Sequence, residues 1–133
     1  MEFNTINHIQ EKLKEFDFEN SSDFAQACAY LASEKRGKKI TIIDLREKNI
    51  EADYFVICSA SSTTQVRAIA EFIDEELGKV GYNISHRDID TKWSALDYGD
   101  VIVHVFYNEV RDYYQIERLW EDENNVKLYE YEE

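Results

Sequence analysis

Asp88 and Asp90 stand two residues apart, a spacing that could bring two carboxylates onto one metal ion. Along a β-strand, alternate side chains share a face, so this pair could converge on Mg2+, which binds carboxylate oxygens. Ser61-Ser62-Thr63-Thr64 opens a helical pattern, and the N-terminus of a helix offers free N–H groups to a phosphate. Together the two features sketch a Mg2+-dependent nucleotidyltransferase acting through Asp88 and Asp90. Two facts stand against it. A phosphate cradle needs glycine where the backbone approaches the ligand, and Cys58-Ser59-Ala60-Ser61-Ser62 contains none. Asp-x-Asp also recurs by chance in a chain with 28 acidic residues. The enzyme reading stays the alternative, and no catalytic residue or cofactor is assigned.

The other reactive side chains are scattered. His8, His86 and His104 fall in separate segments without an HxxxH or CxxC partner, so they make no zinc set. A serine nucleophile on a sharp turn would show as Gly-x-Ser-x-Gly, which is absent. Cys58 and His104 both lie in strand-like runs, where burial is the commoner explanation. His104 alternates with Ile102 and Phe106 on one face, a pattern that suits either a core histidine or a binding face. The stretch from Trp93 to Phe106 is richer. It places Trp93, Asp97, Tyr98 and Asp100 around a turn at Gly99 and runs into the strand that carries His104. Tryptophan and tyrosine dominate binding hot spots, but they also fill cores, and composition alone does not choose.

The elements that must position these residues can be read from periodicity. Ile6, Ile9, Leu13 and Phe16 predict a short amphipathic N-terminal helix. Asn20-Ser21-Ser22-Asp23 supplies capping chemistry for a second helix with Phe24, Ala27, Cys28 and Leu31 on one stripe, ending near Arg36-Gly37. Ile40–Leu45 and Asp53–Ser59 read as buried strands, so apolar that their sheet should be covered on both faces. Ser62 and Gln65 have the spacing of a capping box, and Val66, Ile69, Ala70, Ile73, Leu77 and Val80 form a helical stripe ending at Gly81. Weaker strands are expected near Tyr82–Asp88 and Trp93–Tyr98, and a strong one at Val101–Tyr107. Glu109–Trp120 reads as one helix. Beyond it the tail carries six acids against Lys127 and should be mobile, unless Val126, Leu128 and Tyr129 dock it.

Charge narrows the partners. With 28 acidic against 15 basic residues the net charge is −13. Nucleic-acid affinity comes from neutralising phosphates with Lys and Arg, so this surface disfavours RNA, DNA and anionic membranes. It attracts a basic protein, unless the acidity serves only solubility. No apolar run reaches the ~20 residues of a membrane span. The start lacks a signal-peptide pattern, and Cys28 and Cys58 sit in apolar runs like reduced core residues. A cytoplasmic location is expected.

Five segments carry a resemblance. They are Ile43-Asp44-Leu45, Ala52 to Ile57, Ser61 to Val66 with its helix, Leu96 to Phe106, and Glu109 to Trp120. In this order and spacing the chain resembles the Iojap-type ribosomal silencing factors, from about Ser22 to Trp120. The resemblance implies an α/β fold with a mixed five-stranded sheet flanked by helices, nucleotidyltransferase-like but lacking the catalytic site. It divides the chain into an N-terminal helical extension (1–20), the silencing-factor domain (21–120) and an acidic tail (121–133). It further implies a translational repressor that binds protein fourteen of the large ribosomal subunit, blocks joining of the small subunit and slows translation when nutrients are short. Carried over by position, the partner-binding residues are Trp93, Leu96, Asp97, Tyr98, His104 and Phe106, with Asp100 either pairing with the partner or holding the turn. Asp53, Tyr54 and the Tyr113–Trp120 segment look like fold support. No sequence-specific nucleic acid is expected as a partner, and a homodimer that uses the exposed aromatics stays open. Ser94 and Ala95 are smaller than the family's usual aliphatics, so the strand after Trp93 could be shifted or less buried. His86–Lys92 also lacks the glycine and glutamate common before that tryptophan.

Overall fold

The computed structural model describes residues 2–48 and 50–129, with the backbone alone for residues 2–7. The first helix, α1, spans Glu2–Leu13. Its Ile9 and Leu13 are buried, while the Ile6 side chain lies outside the described residues. In α2, Ser21–Glu34, Asn20 accepts a hydrogen bond from the Asp23 backbone N–H at 3.1 Å, as the capping pattern requires. A shared polar contact docks α1, because Gln10 donates to buried Glu76 at 2.9 Å.

Helix α3, Thr63–Lys79, begins and ends by recognisable chemistry. The Ser62 hydroxyl accepts from the Gln65 N–H, but Gln65 does not reach back to the Ser62 N–H as a capping box would. Its side-chain oxygen takes the Ser61 N–H instead, and its amide donates to the carbonyls of Lys35 and Arg36, tying the end of α2 to the start of α3. At the other end Tyr82 N–H bonds Leu77 C=O and Gly81 N–H bonds Gly78 C=O, with Gly81 at φ +88°. This is a Schellman ending, whose left-handed residue is nearly always glycine.

Among the described residues six strands form one mixed sheet: β1 Lys38–Asp44, β2 Tyr54–Ala60, β3 His86–Asp88, β4 Trp93–Asp97, β5 Val101–Tyr107 and β6 Val126–Leu128. Their order is β3-β4-β5-β2-β1-β6. Only β2 and β5 are parallel, and the other neighbours run antiparallel. The sixth strand comes from the acidic tail. Val126, Lys127 and Leu128 pair with Ile43, Ile42 and Thr41, so this part of the tail is docked. Glu130, Glu132 and Glu133 lie outside the described residues.

The pleat sorts side chains into two cores. On one face Ile42, Val56, Cys58, Leu96, Val103 and Val105 pack under α1, α2 and α3 in the larger core. On the other, Ile43, Leu45, Ala52, Phe55, Ile57 and Phe106 form a smaller one. Every residue of β2 is buried, which explains its unbroken apolar run. Cys28 and Cys58 are buried free thiols, and burial pushes the Cys58 pKa up to about 12. Among the described residues no helix is long and apolar enough to cross a membrane.

The segment read as one helix over Glu109–Trp120 is two: α4, Asn108–Tyr114, and α5, Glu117–Trp120. The break is at Gln115, φ +47°, whose N–H bonds Arg111 C=O. A buried ion pair explains it. Arg111, 7% exposed, donates from Nε to Glu117 at 2.8 Å. Its other nitrogens donate to Lys39 C=O and Ser59 Oγ at 2.9 Å and to Thr41 Oγ1 at 3.1 Å. Bringing Glu117 onto the Arg111 guanidinium folds the chain back, and an uninterrupted helix would carry it away.

Candidate partner-binding face

Helices cover the two sides of the sheet unequally. The face opposite α2 and α3 has only the short α4 and α5 to shield it, and the β4–β5 register builds a polar and aromatic platform there. Trp93 stands opposite Phe106, Ala95 opposite His104, and Asp97 opposite Ile102. The Trp93 ring lies 4.7 Å from the Phe106 ring, centre to centre, and 5.4 Å from Tyr114 of α4. Its indole N–H donates to His104 Nδ1 at 3.1 Å. That bond requires Nδ1 to be unprotonated, so the neutral ring carries its proton on Nε2. Phe55 meets the His104 ring edge-on at 4.8 Å. Burial holds the His104 pKa down at about 4, and the Glu117 charge opposes that only in part. Nothing basic or nucleophilic is left on His104 except the role of acceptor for Trp93.

The six residues carried over from the resemblance do not form one patch. Trp93 and Asp97 are half-buried on the open face. His104 and Phe106 lie beneath Trp93, and Phe106 is wholly buried, so they support the surface and do not present it. Leu96 points the other way and is wholly buried in the larger core. Tyr98 shares that side, where its ring meets Phe24 edge-on at 5.4 Å and its hydroxyl bonds Asp74 at 3.3 Å. Asp97 caps the Gly99 N–H at 2.8 Å, so it shapes the turn as well as offering charge.

The Tyr113–Trp120 segment, read from the sequence as fold support, carries exposed side chains instead. Tyr113 is 81% exposed, Tyr114 54% and Leu119 73%, unusual values for large apolar side chains. The signal was present. Adjacent tyrosines point about 100° apart on a helix, so Tyr113-Tyr114 cannot both join one buried stripe. The fold-support reading holds for Asp53, which accepts from Ser21 Oγ at 2.9 Å, and for buried Tyr54.

The aspartate pair behaves differently from its sequence pattern. Strand β3 stops at Asp88, and Asp90 sits in the following loop, where its backbone N–H and C=O both bond Ser94 Oγ. Alternation along a strand therefore does not align the two carboxylates. Among the described residues no group of three or more His, Cys, Asp or Glu is placed to hold a metal. Ser94, small where a larger aliphatic was anticipated, is wholly buried and pins this loop, so β4 keeps its register.

Comparison with known proteins agrees with the architecture. The family model described as "ribosomal silencing factor during starvation" (RsfS) matches residues 18–133. The ribosomal silencing factor RsfS of Bacillus subtilis is 34% identical over 105 residues, spanning 77% of this chain and 89% of its own length. The chloroplastic Iojap protein of Zea mays is 30% identical over 112 residues, 79% of this chain and 46% of its own. A crystal structure of a Chromobacterium violaceum protein superimposes with a TM-score of 0.70 at 27% identity, covering 82% of this chain and 92% of that one. With sequence and sheet architecture in agreement, the chain belongs to the family of ribosomal silencing factors.

Proposed function

We propose that this protein represses translation in the cytoplasm by docking on protein fourteen of the large ribosomal subunit, where it sterically blocks joining of the small subunit when nutrients are short. It works by binding and not by catalysis. The observation that carries the reading is the aromatic surface of Trp93, Tyr114 and Tyr113 on the thin side of the sheet, with both tyrosines exposed. Large aromatics at the centre of such a patch are typical anchors, and an acidic rim suits a basic ribosomal protein. Asp97 and Asp112 supply charge at its edges. His104 and Phe106 set the angle of Trp93 from below. Leu96 and Tyr98 serve the fold that carries it.

Co-sedimentation with separated subunits, followed by a subunit-joining assay, tests this. The expected result is co-migration with the large subunit alone and fewer joined ribosomes. Trp93→Ala should weaken that binding by about 2 kcal/mol, roughly 30-fold, as truncated hot-spot aromatics do. Full binding by a folded Trp93→Ala protein would overturn the assignment of the face. Binding to neither subunit would overturn the function, and a dimer closed through these aromatics would then account for the patch.

A further inference from the structure

Positive charge in this acidic chain is unevenly distributed. Among the described residues, eight of the 15 lysines and arginines are ion-paired to carboxylates, among them Arg46, Lys48 and Arg87. Of the other seven, Lys35 lies over the Phe72 ring and Lys127 sits on β6. The remaining five, Arg36, Lys38, Lys39, Lys92 and Arg118, gather at the end of the sheet where the parallel strands β2 and β5 finish. Lys38, Lys39 and Arg118 line one cleft of about 660 Å³ with Ser59, Asn108 and the buried Arg111. The Arg36 carbonyl holds Gln65 beside it, and the Lys92 carbonyl accepts from the Tyr107 N–H at the end of β5. Asp112, Glu117 and Glu121 line the same cleft, but Glu117 is committed to Arg111. The opposite end of the sheet carries Glu47, Glu51, Asp53, Asp97 and Asp100, and its Arg46 and Lys48 are neutralised by Asp44 and Asp122.

We infer that this end of the molecule docks on an RNA phosphate backbone, with Lys38, Lys39 and Arg118 as the contacting cations. The inference rests on the large-subunit reading and adds a second contact to it. Phosphates would be repelled by the rest of a chain of net charge −13, so the end that carries these cations is the part of the surface that can face them. These cations, without an ion pair among the described residues, therefore fix orientation. They adjoin the aromatic face, because Lys92 precedes Trp93 and Lys39 C=O accepts from Arg111 of α4, the helix that carries Tyr113 and Tyr114, so one pose seats the aromatics on protein and the cations on neighbouring RNA. The contact is to backbone and carries no base specificity.

The test uses the full chain with Lys38→Gln, Lys39→Gln and Arg118→Gln combined, titrated with purified large subunits between about 50 and 200 mM salt. Each lost phosphate contact should make the plot of log affinity against log salt shallower by about 0.7–0.9. The triple variant should thus lose about two units of slope and bind more weakly at low salt. Its thermal midpoint and its binding to the isolated ribosomal protein should be unchanged. An unaltered slope overturns the RNA contact while leaving large-subunit docking intact. Equal weakening toward the isolated protein overturns it as well, by assigning these cations to the protein contact. If the unaltered chain does not bind large subunits, both readings fall.

Discussion

Histidine 104 has one job in this molecule, and pH exposes it. Half-buried and neutral, it accepts the Trp93 indole N–H, with its pKa held down at about 4 by desolvation. An unfolded chain would titrate the same ring near 6.5, so between those values the unfolded state binds more protons and stability rises with pH. The contribution is complete above about pH 6.5 and is lost as pH falls toward 4, a span of about 3 kcal/mol. His104→Phe should flatten that part of the stability–pH curve. Urea denaturation of both proteins across the window, taken as a difference so that shared carboxylate titration cancels, measures it. Arg111 is the second decisive residue. Arg111→Ala would strand the Glu117 carboxylate and leave Ser59 and Thr41 without their donor. Removing one partner of a buried pair costs on the order of 3 kcal/mol, and denaturation midpoints should show it. Arg111→Lys should restore only part, since a single ammonium cannot reproduce the forked geometry.

Among the elements, the short pieces decide what the long ones leave exposed. Helices α2 and α3 cover the larger core on one side of the sheet, so their stripes were legible as patterns of three and four. On the other side α4 and α5 together make only eleven helical residues, broken at Gln115, and the aromatics around Trp93 stay accessible. Strand β6 has a different role. It covers the outer edge of β1 and is held by Asp44 N–H to Asn125 C=O at 2.8 Å and Asn125 Nδ2 to Trp120 C=O at 2.8 Å. Unpaired edges of this kind recruit other strands. Truncation after Asp122 should therefore lower stability and promote self-association, seen as a rising sedimentation coefficient with concentration. A truncated chain that stays monomeric and equally stable would show that β6 protects nothing.

Across the whole molecule, two asymmetries set how it can meet a partner. One is cover, thick on the α2–α3 side and thin on the α4–α5 side. The other is charge, strongly acidic overall with Lys38, Lys39 and Arg118 gathered at one end. Net charge of −13 was legible from composition, and it is what the proposed basic partner rests on. Most of the fold was legible too, because helix stripes, caps and β-branched runs are local: Asn20 caps α2, Ser62 caps α3 and Gly81 ends it. The family was legible in the order of five segments. The candidate face was only half legible. Alternation put His104 and Phe106 on one strand face, but whether that face meets solvent depends on which helices cover it, and so Phe106 proved wholly buried and Leu96 fell on the far side. The Asp88–Asp90 pairing failed for a related reason, since β3 ends between the two. The sequence by itself determined most of the helices and strands, the charge and the family, because each is written within a few neighbouring residues or in their sum. Only the tertiary structure decided the break between α4 and α5, the pairing of β6 with β1, the exposure of Tyr113, Tyr114 and Leu119 and the clustering of Lys38, Lys39 and Arg118. Each of these depends on contacts between residues tens of positions apart, such as Arg111 with Ser59 and Thr41, and no local pattern encodes them.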